Sequence, residues 1–128
     1  MKLLLDTCTF LWIISGSTEI SRKCRILFTD SSNEIYMSSV SAWEIIIKNS
    51  AGRLPLPLPA RDFVPHYREL HGITELPLYE EAVLQLSRLP AVHKDPFDRM
   101  LICQSIAHSL PLLTPDPLIT QYPVRTIW

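Results

Sequence analysis

At 128 residues, with 47% apolar and 20% charged residues, the chain is expected to form one domain around a sizeable core. A formal net charge of −1 gives no global attraction to nucleic acid or anionic membrane, so a polyanionic partner requires a local basic patch or a bound cation. The three dispersed cysteines, and the lack of zinc-finger spacing, of a secretory leader and of an apolar run of transmembrane length, point to reduced thiols in an intracellular, cytoplasmic protein.

Lys2 to Leu5 is a short apolar run closed by Asp6, the pattern of a buried parallel strand. Thr7 to Ile14 follows with helical spacing at Phe10, Leu11 and Ile14 and stops at Ser15-Gly16-Ser17. Ser21 to Phe28 reads as a second helix, with Cys24, Leu27 and Phe28 inward and Arg22, Lys23 and Arg25 outward. Glu34 to Met37 is a second strand. Ser38 or Ser39 caps the next helix, which carries Val40, Trp43, Ile46 and Ile47 and ends near Gly52. The alternating leucines and prolines of Leu54 to Pro59 form an extended surface connection, because proline neither donates to a ladder nor sits inside a helix.

Asp62 to Leu70 is a plausible helix in which Pro65 is tolerated only in the first turn, and Gly72 stops it. Ile73 to Leu76 reads as a strand, and Glu80 to Leu89 as a helix with Ala82, Val83, Leu86 and Leu89 inward. Asp95 and Pro96 then start a helix whose stripe is Phe97, Met100, Cys103, Ile106, Ala107 and Leu110. Leu112-Leu113 is a strand, Thr114-Pro115-Asp116-Pro117 a turn, and Val124 to Ile127 a last strand. Strands alternating with helices predict a three-layer α/β/α sandwich with a mainly parallel central sheet.

That architecture brings acids together. In an open parallel sheet, ligands bind beyond the carboxyl ends of the strands. Asp6 closes the first strand there, and Thr114 and Asp116 follow a later one. A helix leading into a parallel strand starts at the same edge, which places Asp98, and Glu44 lies about one turn into the helix after the second strand. Each acid also has a local explanation. Asp6 can take backbone amides at a strand end, and Asp95 and Asp98 suit a helix start. Ser41 to Glu44 matches a capping box, and Asp116 sits in a turn. Four structural acids sharing one edge have no topological reason, whereas a cation gives them one. All-oxygen ligation suits magnesium or manganese, and the chemistry is then metal-dependent phosphodiester hydrolysis. The hydroxyls of Thr7 and Thr114 either position a ligand carboxylate or a water, or cap local backbone.

Leu3-Leu4-Leu5-Asp6-Thr7, Ser41-Ala42-Trp43-Glu44-Ile45, His93-Lys94-Asp95-Pro96-Phe97-Asp98-Arg99, Leu113-Thr114-Pro115-Asp116-Pro117 and Tyr122-Pro123-Val124 occur in that order. Together with Gly52-Arg53-Leu54-Pro55 they resemble a PIN-domain protein of the VapC toxin type over nearly the whole chain. The resemblance implies a PIN-like fold, magnesium- or manganese-dependent endoribonuclease activity on RNA, and neutralisation by a small VapB-like antitoxin. It places the family's acidic quartet on Asp6, Glu44, Asp98 and Asp116, as catalytic and metal-holding residues, with Asp95 a cap or supporting group. Cys8 stands where many relatives carry histidine, and Pro115 replaces a commoner alanine; neither removes a ligand. Lys48, Arg53, His93, Lys94 and Arg99 are the basic groups placed to meet RNA, and Arg99 alternatively pairs with an acid. Trp12 and Trp43 are either core or interface, and a homodimer is expected. Rival readings are a DNA flap or processing nuclease with the same acids and a receiver-like, magnesium-binding regulatory module. The last lacks the lysine such modules need after a later strand. A thiol enzyme built on Cys8 has no histidine beside it in the sequence.

Overall fold

A computed structural model describes all of residues 1–128. Its five strands are β1 (Lys2–Leu5), β2 (Glu34–Ser38), β3 (Thr74–Leu76), β4 (Leu112–Leu113) and β5 (Thr126–Ile127). They form one all-parallel sheet in the order β3-β2-β1-β4-β5. The helices are α1 (Thr7–Ser15), α2 (Arg22–Thr29), α3 (Ser39–Ser50), α4 (Ala60–Leu70), α5 (Glu80–Gln85), α6 (Pro96–His108) and α7 (Pro117–Thr120). The chain is thus the α/β sandwich that alternating strands and helices predict. No helix is long and apolar enough to cross a membrane.

Two-residue periodicity in β1 divides the core between the faces of the sheet. Leu3 and Leu5 point to one side, where Phe10 of α1, Cys24 of α2, Ile45 of α3 and Phe63 of α4 cover them. Leu4 points to the other, against Ile102 and Cys103 of α6, Leu112 of β4 and Ile119 of α7. All three leucines are fully buried, and a Leu→Ala change at such a site costs about 2–5 kcal/mol. β1 is central because it is apolar on both faces. The chain builds outward from it through β2 to β3, then returns to its other side at β4. The strand order therefore reverses between β1 and β4, which opens a crevice at their carboxyl ends.

Several expected details are corrected. Pro65 lies in the interior of α4 because the helix starts at Ala60, two residues before Asp62; the amides of Asp62 and Phe63 both reach Pro59 O, and buried Phe63 and Val64 anchor the turn around the proline. On α3, Trp43, Ile46 and Ile47 face solvent at 54%, 40% and 43% exposure, so they are not core. Beyond α5, Leu86–Arg88 tightens into a 3-10 turn, which leaves Val83 and Leu86 exposed while Ala82 and Leu89 pack inward. The buried face of α6 is centred on Leu101, Ile102, Cys103 and Ser105; Phe97, Met100, Ile106 and Ala107 are only partly covered. The turn at Asp116 continues as α7, a single helical turn opened by Pro117.

Candidate functional site

Four acids reach the crevice, each on its own element. Asp6 follows β1 directly and is the N-cap of α1, its Oδ1 accepting from the Thr7 amide at 2.8 Å. Its second oxygen, Oδ2, accepts from the Thr114 hydroxyl at 2.9 Å, so the residue after β1 is bonded to the residue after β4 across the reversal point. Thr114 Oγ1 in turn accepts from the Asp116 amide at 3.1 Å. Asp116 Oδ1 caps α7 through the Leu118 amide at 2.9 Å.

Glu44 arrives from α3. That helix is capped by Ser38, whose Oγ accepts from the Val40 amide at 2.9 Å and donates to Gln104 Oε1 at 2.5 Å. The helix starts at Ser39, so Ser41 and Glu44 form no capping box. Ser41 instead accepts from the Thr7 hydroxyl at 2.9 Å, which ties α1 to α3 one turn before Glu44. Glu44 is only 3% exposed. Its Oε2 is paired with Lys48 one turn on, and its Oε1 is buried without any partner.

Asp98 sits in the first turn of α6, where Asp95 Oδ1 accepts from the amides of Phe97 and Asp98 at 2.9 and 3.0 Å. Asp95 is thus the helix cap, and Asp98 is free to point elsewhere. Its Oδ2 lies 3.0 Å from His93 Nε2, while His93 Nδ1 lies 2.7 Å from the Tyr122 hydroxyl. The same phenol oxygen accepts from the Arg99 guanidinium at 3.0 Å, and Arg99 also donates to the carbonyl of Pro90 at 2.8 Å. Arg99 therefore pairs with no acid; it clamps the loop that carries His93.

The acids feel one another. Burial pushes the Asp6 carboxyl up to about 7, the Thr114 hydroxyl partly opposes this, and the charges of Asp98 and Glu44 add to the rise. Asp98 is also held above the usual carboxylate range, first by burial, against the His93 hydrogen bond, and further by Asp95, Glu44 and Asp116. Burial depresses His93, but its hydrogen bonds to Asp98 and Tyr122 outweigh that and leave it above its ordinary value. Desolvation, then Asp6 and Glu44, push the Cys8 thiol up to about 11, so it carries no thiolate near neutral pH.

No three acidic, imidazole or thiol groups stand close enough together to form a ready cage for an ion. The donor set nonetheless fits a hard cation. It is all oxygen, it repels itself, and one buried oxygen of Glu44 has no donor to satisfy it.

The PIN-domain profile matches residues 3–124. The chain belongs to the PIN-domain family. Such domains are generally nucleases, and these typically use divalent metal ions. The fold of this PIN domain is similar to a chain in the VapBC2 complex of Rickettsia felis bound to a promoter DNA fragment, with a TM-score of 0.74 at 13% identity, covering 100% of this chain and 98% of that one. It is also similar to a chain in DNA-bound VapBC of Salmonella typhimurium, at TM-score 0.70 and 16% identity, covering 100% and 97%. A third likeness is to VapBC-5, a member of the VapBC family of toxin-antitoxin systems from Mycobacterium tuberculosis, at 0.59 and 15%, covering 94% and 89%. No curated protein sequence matches closely.

Of the basic groups expected near RNA, this PIN domain leaves Arg53 and Lys94 exposed, and it commits His93 to Asp98 and Lys48 to Glu44. Tyr122 and Ser41 are structural supports of the site to which sequence reasoning gave no such role. The one trace of Tyr122 in the sequence is its place in Tyr122-Pro123-Val124, and a phenol 29 residues from His93 has no local pattern to reveal it.

Proposed function

We propose that the chain is a divalent-metal-dependent endoribonuclease, the toxin of a type II toxin-antitoxin pair, held inactive by a small VapB-like antitoxin. What supports the nuclease role is the charge coupling of Asp98 with Asp6, Glu44 and Asp116 near the reversal point, with a buried Glu44 oxygen left unsatisfied. Those four carboxylates would hold Mg2+ or Mn2+. When bound, such an ion neutralises phosphodiester charge and acidifies water.

The chain's own groups supply the frame. Thr114 fixes the orientation of Asp6 and the start of the Asp116 turn with one hydroxyl. His93, itself held by Tyr122, fixes Asp98. Thr7 and Ser41 set the spacing between the helices that bring Asp6 and Glu44. Exposed Arg53 and Lys94 are the cations available to RNA phosphates in a protein of net charge −1.

Two surfaces suit protein partners. An apolar groove of about 430 Å³ runs between the end of α1, the Leu54–Pro57 connection and α4, with Trp12 and Tyr67 in its wall, and fits the apolar face of an antitoxin helix. The exposed Trp43, Ile46 and Ile47 of α3 suit a second copy of the chain. The substrate class is tested by incubating the purified chain with single-stranded RNA and with branched DNA side by side under Mg2+ or Mn2+. RNA cleavage alone is expected; cleavage of the branched DNA alone would replace the toxin assignment with a DNA-processing nuclease.

A further inference from the structure

Lys48 is among the basic groups that the sequence places to meet RNA, yet its ammonium is seated on Glu44. We propose that Lys48 is an internal counter-ion which occupies one oxygen of Glu44 in the metal-free protein and leaves it when a divalent cation takes the site. The inference rests on the metal role proposed above for Glu44.

Position explains the pairing. Lys48 lies four residues after Glu44 on α3, the spacing that stacks two side chains on one helix face. An exposed pair of this kind contributes little. Here the acid is not exposed: the Glu44 side chain is 4% accessible, and a buried carboxylate without a counter-charge is strongly disfavoured. Neither Thr7, Thr114 nor His93 reaches it, and Lys48 is its one cationic partner. The lysine's charge also reaches Asp95, so it counters an acid beyond Glu44 as well.

The pair is asymmetric in a way that names the moving partner. Glu44 is locked in the interior, whereas the Lys48 side chain is 37% accessible. Its ammonium is a strongly hydrated point charge on a flexible stem, able to swing into solvent while Glu44 stays. The other oxygen of Glu44, Oε1, is already unpartnered and buried, so the carboxylate is oriented with one side engaged and one side open. Occupation of Glu44 by a lysine keeps the acid cluster folded without metal, and it competes with any cation that needs both oxygens.

The test is calorimetric titration of the full chain with MnCl2, comparing wild type, Lys48→Met, Glu44→Gln and the double variant. Lys48→Met is expected to bind Mn2+ roughly tenfold more tightly, the equivalent of one charge-assisted hydrogen bond removed from competition. In the Glu44→Gln background the same change is expected to alter affinity less than about threefold, because the competition runs through Glu44. Unchanged or weaker binding by Lys48→Met overturns the proposal. So does an equal gain in both backgrounds, which would mean simple charge repulsion. If wild type and Glu44→Gln bind Mn2+ equally, Glu44 is no ligand and the metal role of that residue fails instead. Absence of Mn2+ binding by wild type removes both. Should Lys48→Met not fold, the wild-type chain still decides: the Lys48 ε-methylene NMR signal must shift on titration with Mg2+, and a stationary signal at saturating Mg2+ contradicts displacement.

Discussion

Asp6→Asn removes the charge that the structure finds hardest to keep. The Asp6 carboxyl titrates at about 7 in the folded chain against an ordinary 3.8, because burial and its acidic neighbours disfavour the ionised form. The native state therefore binds a proton that the unfolded chain releases, and stability falls as pH rises between those values. Three units correspond to roughly 4 kcal/mol in all, of which about 2.5 kcal/mol is lost between pH 5 and pH 8. Asparagine caps α1 as well as aspartate does, but Thr114 loses its acceptor, at a cost of about 1 kcal/mol at every pH. About 1.5 kcal/mol is already lost by pH 5, so Asp6→Asn should lie close to wild type there and be stabilised by about 3 kcal/mol at pH 8, with the difference in melting temperature moving by about 10 °C. Differential scanning calorimetry in EDTA measures this directly. Addition of Mg2+ at pH 8 should raise the melting temperature of wild type more than that of the variant. A stability difference between the two proteins that does not change from pH 5 to pH 8 would refute a strained, ionised Asp6.

The acids at the start of α6 have separable roles. Asp95→Ser should keep most activity, since serine also caps, at a cost of about 1 kcal/mol or less in denaturant unfolding. Asp98→Ser should lower RNA cleavage at least ~100-fold, the upper range for disturbing even an outer partner of a metal ligand, with little loss of stability. Thr114→Val strands the Asp116 amide and one oxygen of Asp6, so urea unfolding should show a loss of about 1–3 kcal/mol, and the pH dependence described for Asp6 should steepen.

The sequence makes β1 legible because Leu3, Leu4 and Leu5 leave no polar face, and a strand apolar on both sides belongs in the middle of a parallel sheet. Asp95-Pro96 announces α6 by the chemistry of helix starts, and strand polarity then carries Asp6, Glu44, Asp98 and Asp116 to one edge. Which face of α3 is buried is not legible. Trp43, Ile45, Ile46 and Ile47 surround the helix with apolar groups, so periodicity has no contrast to report, and only Ile45 of these is core. The pairing of Lys48 depends on how deeply Glu44 is buried, and the clamp from Arg99 through Tyr122 to His93 joins segments over twenty residues apart; both are tertiary facts without a local pattern. Pro65 misleads because a proline's missing donor weakens a helix less than the packing of Phe63 and Val64 strengthens it.

The central claim is that the four carboxylates at the β1–β4 crevice serve a metal-dependent ribonuclease. Its most direct test follows cleavage of single-stranded RNA by the purified chain, first in EDTA and then after restoring Mg2+ or Mn2+, with Asp98→Asn alongside. Cleavage should stop in EDTA, return with either ion, and remain absent in the variant. Equal cleavage in EDTA, or an active Asp98→Asn, would contradict it.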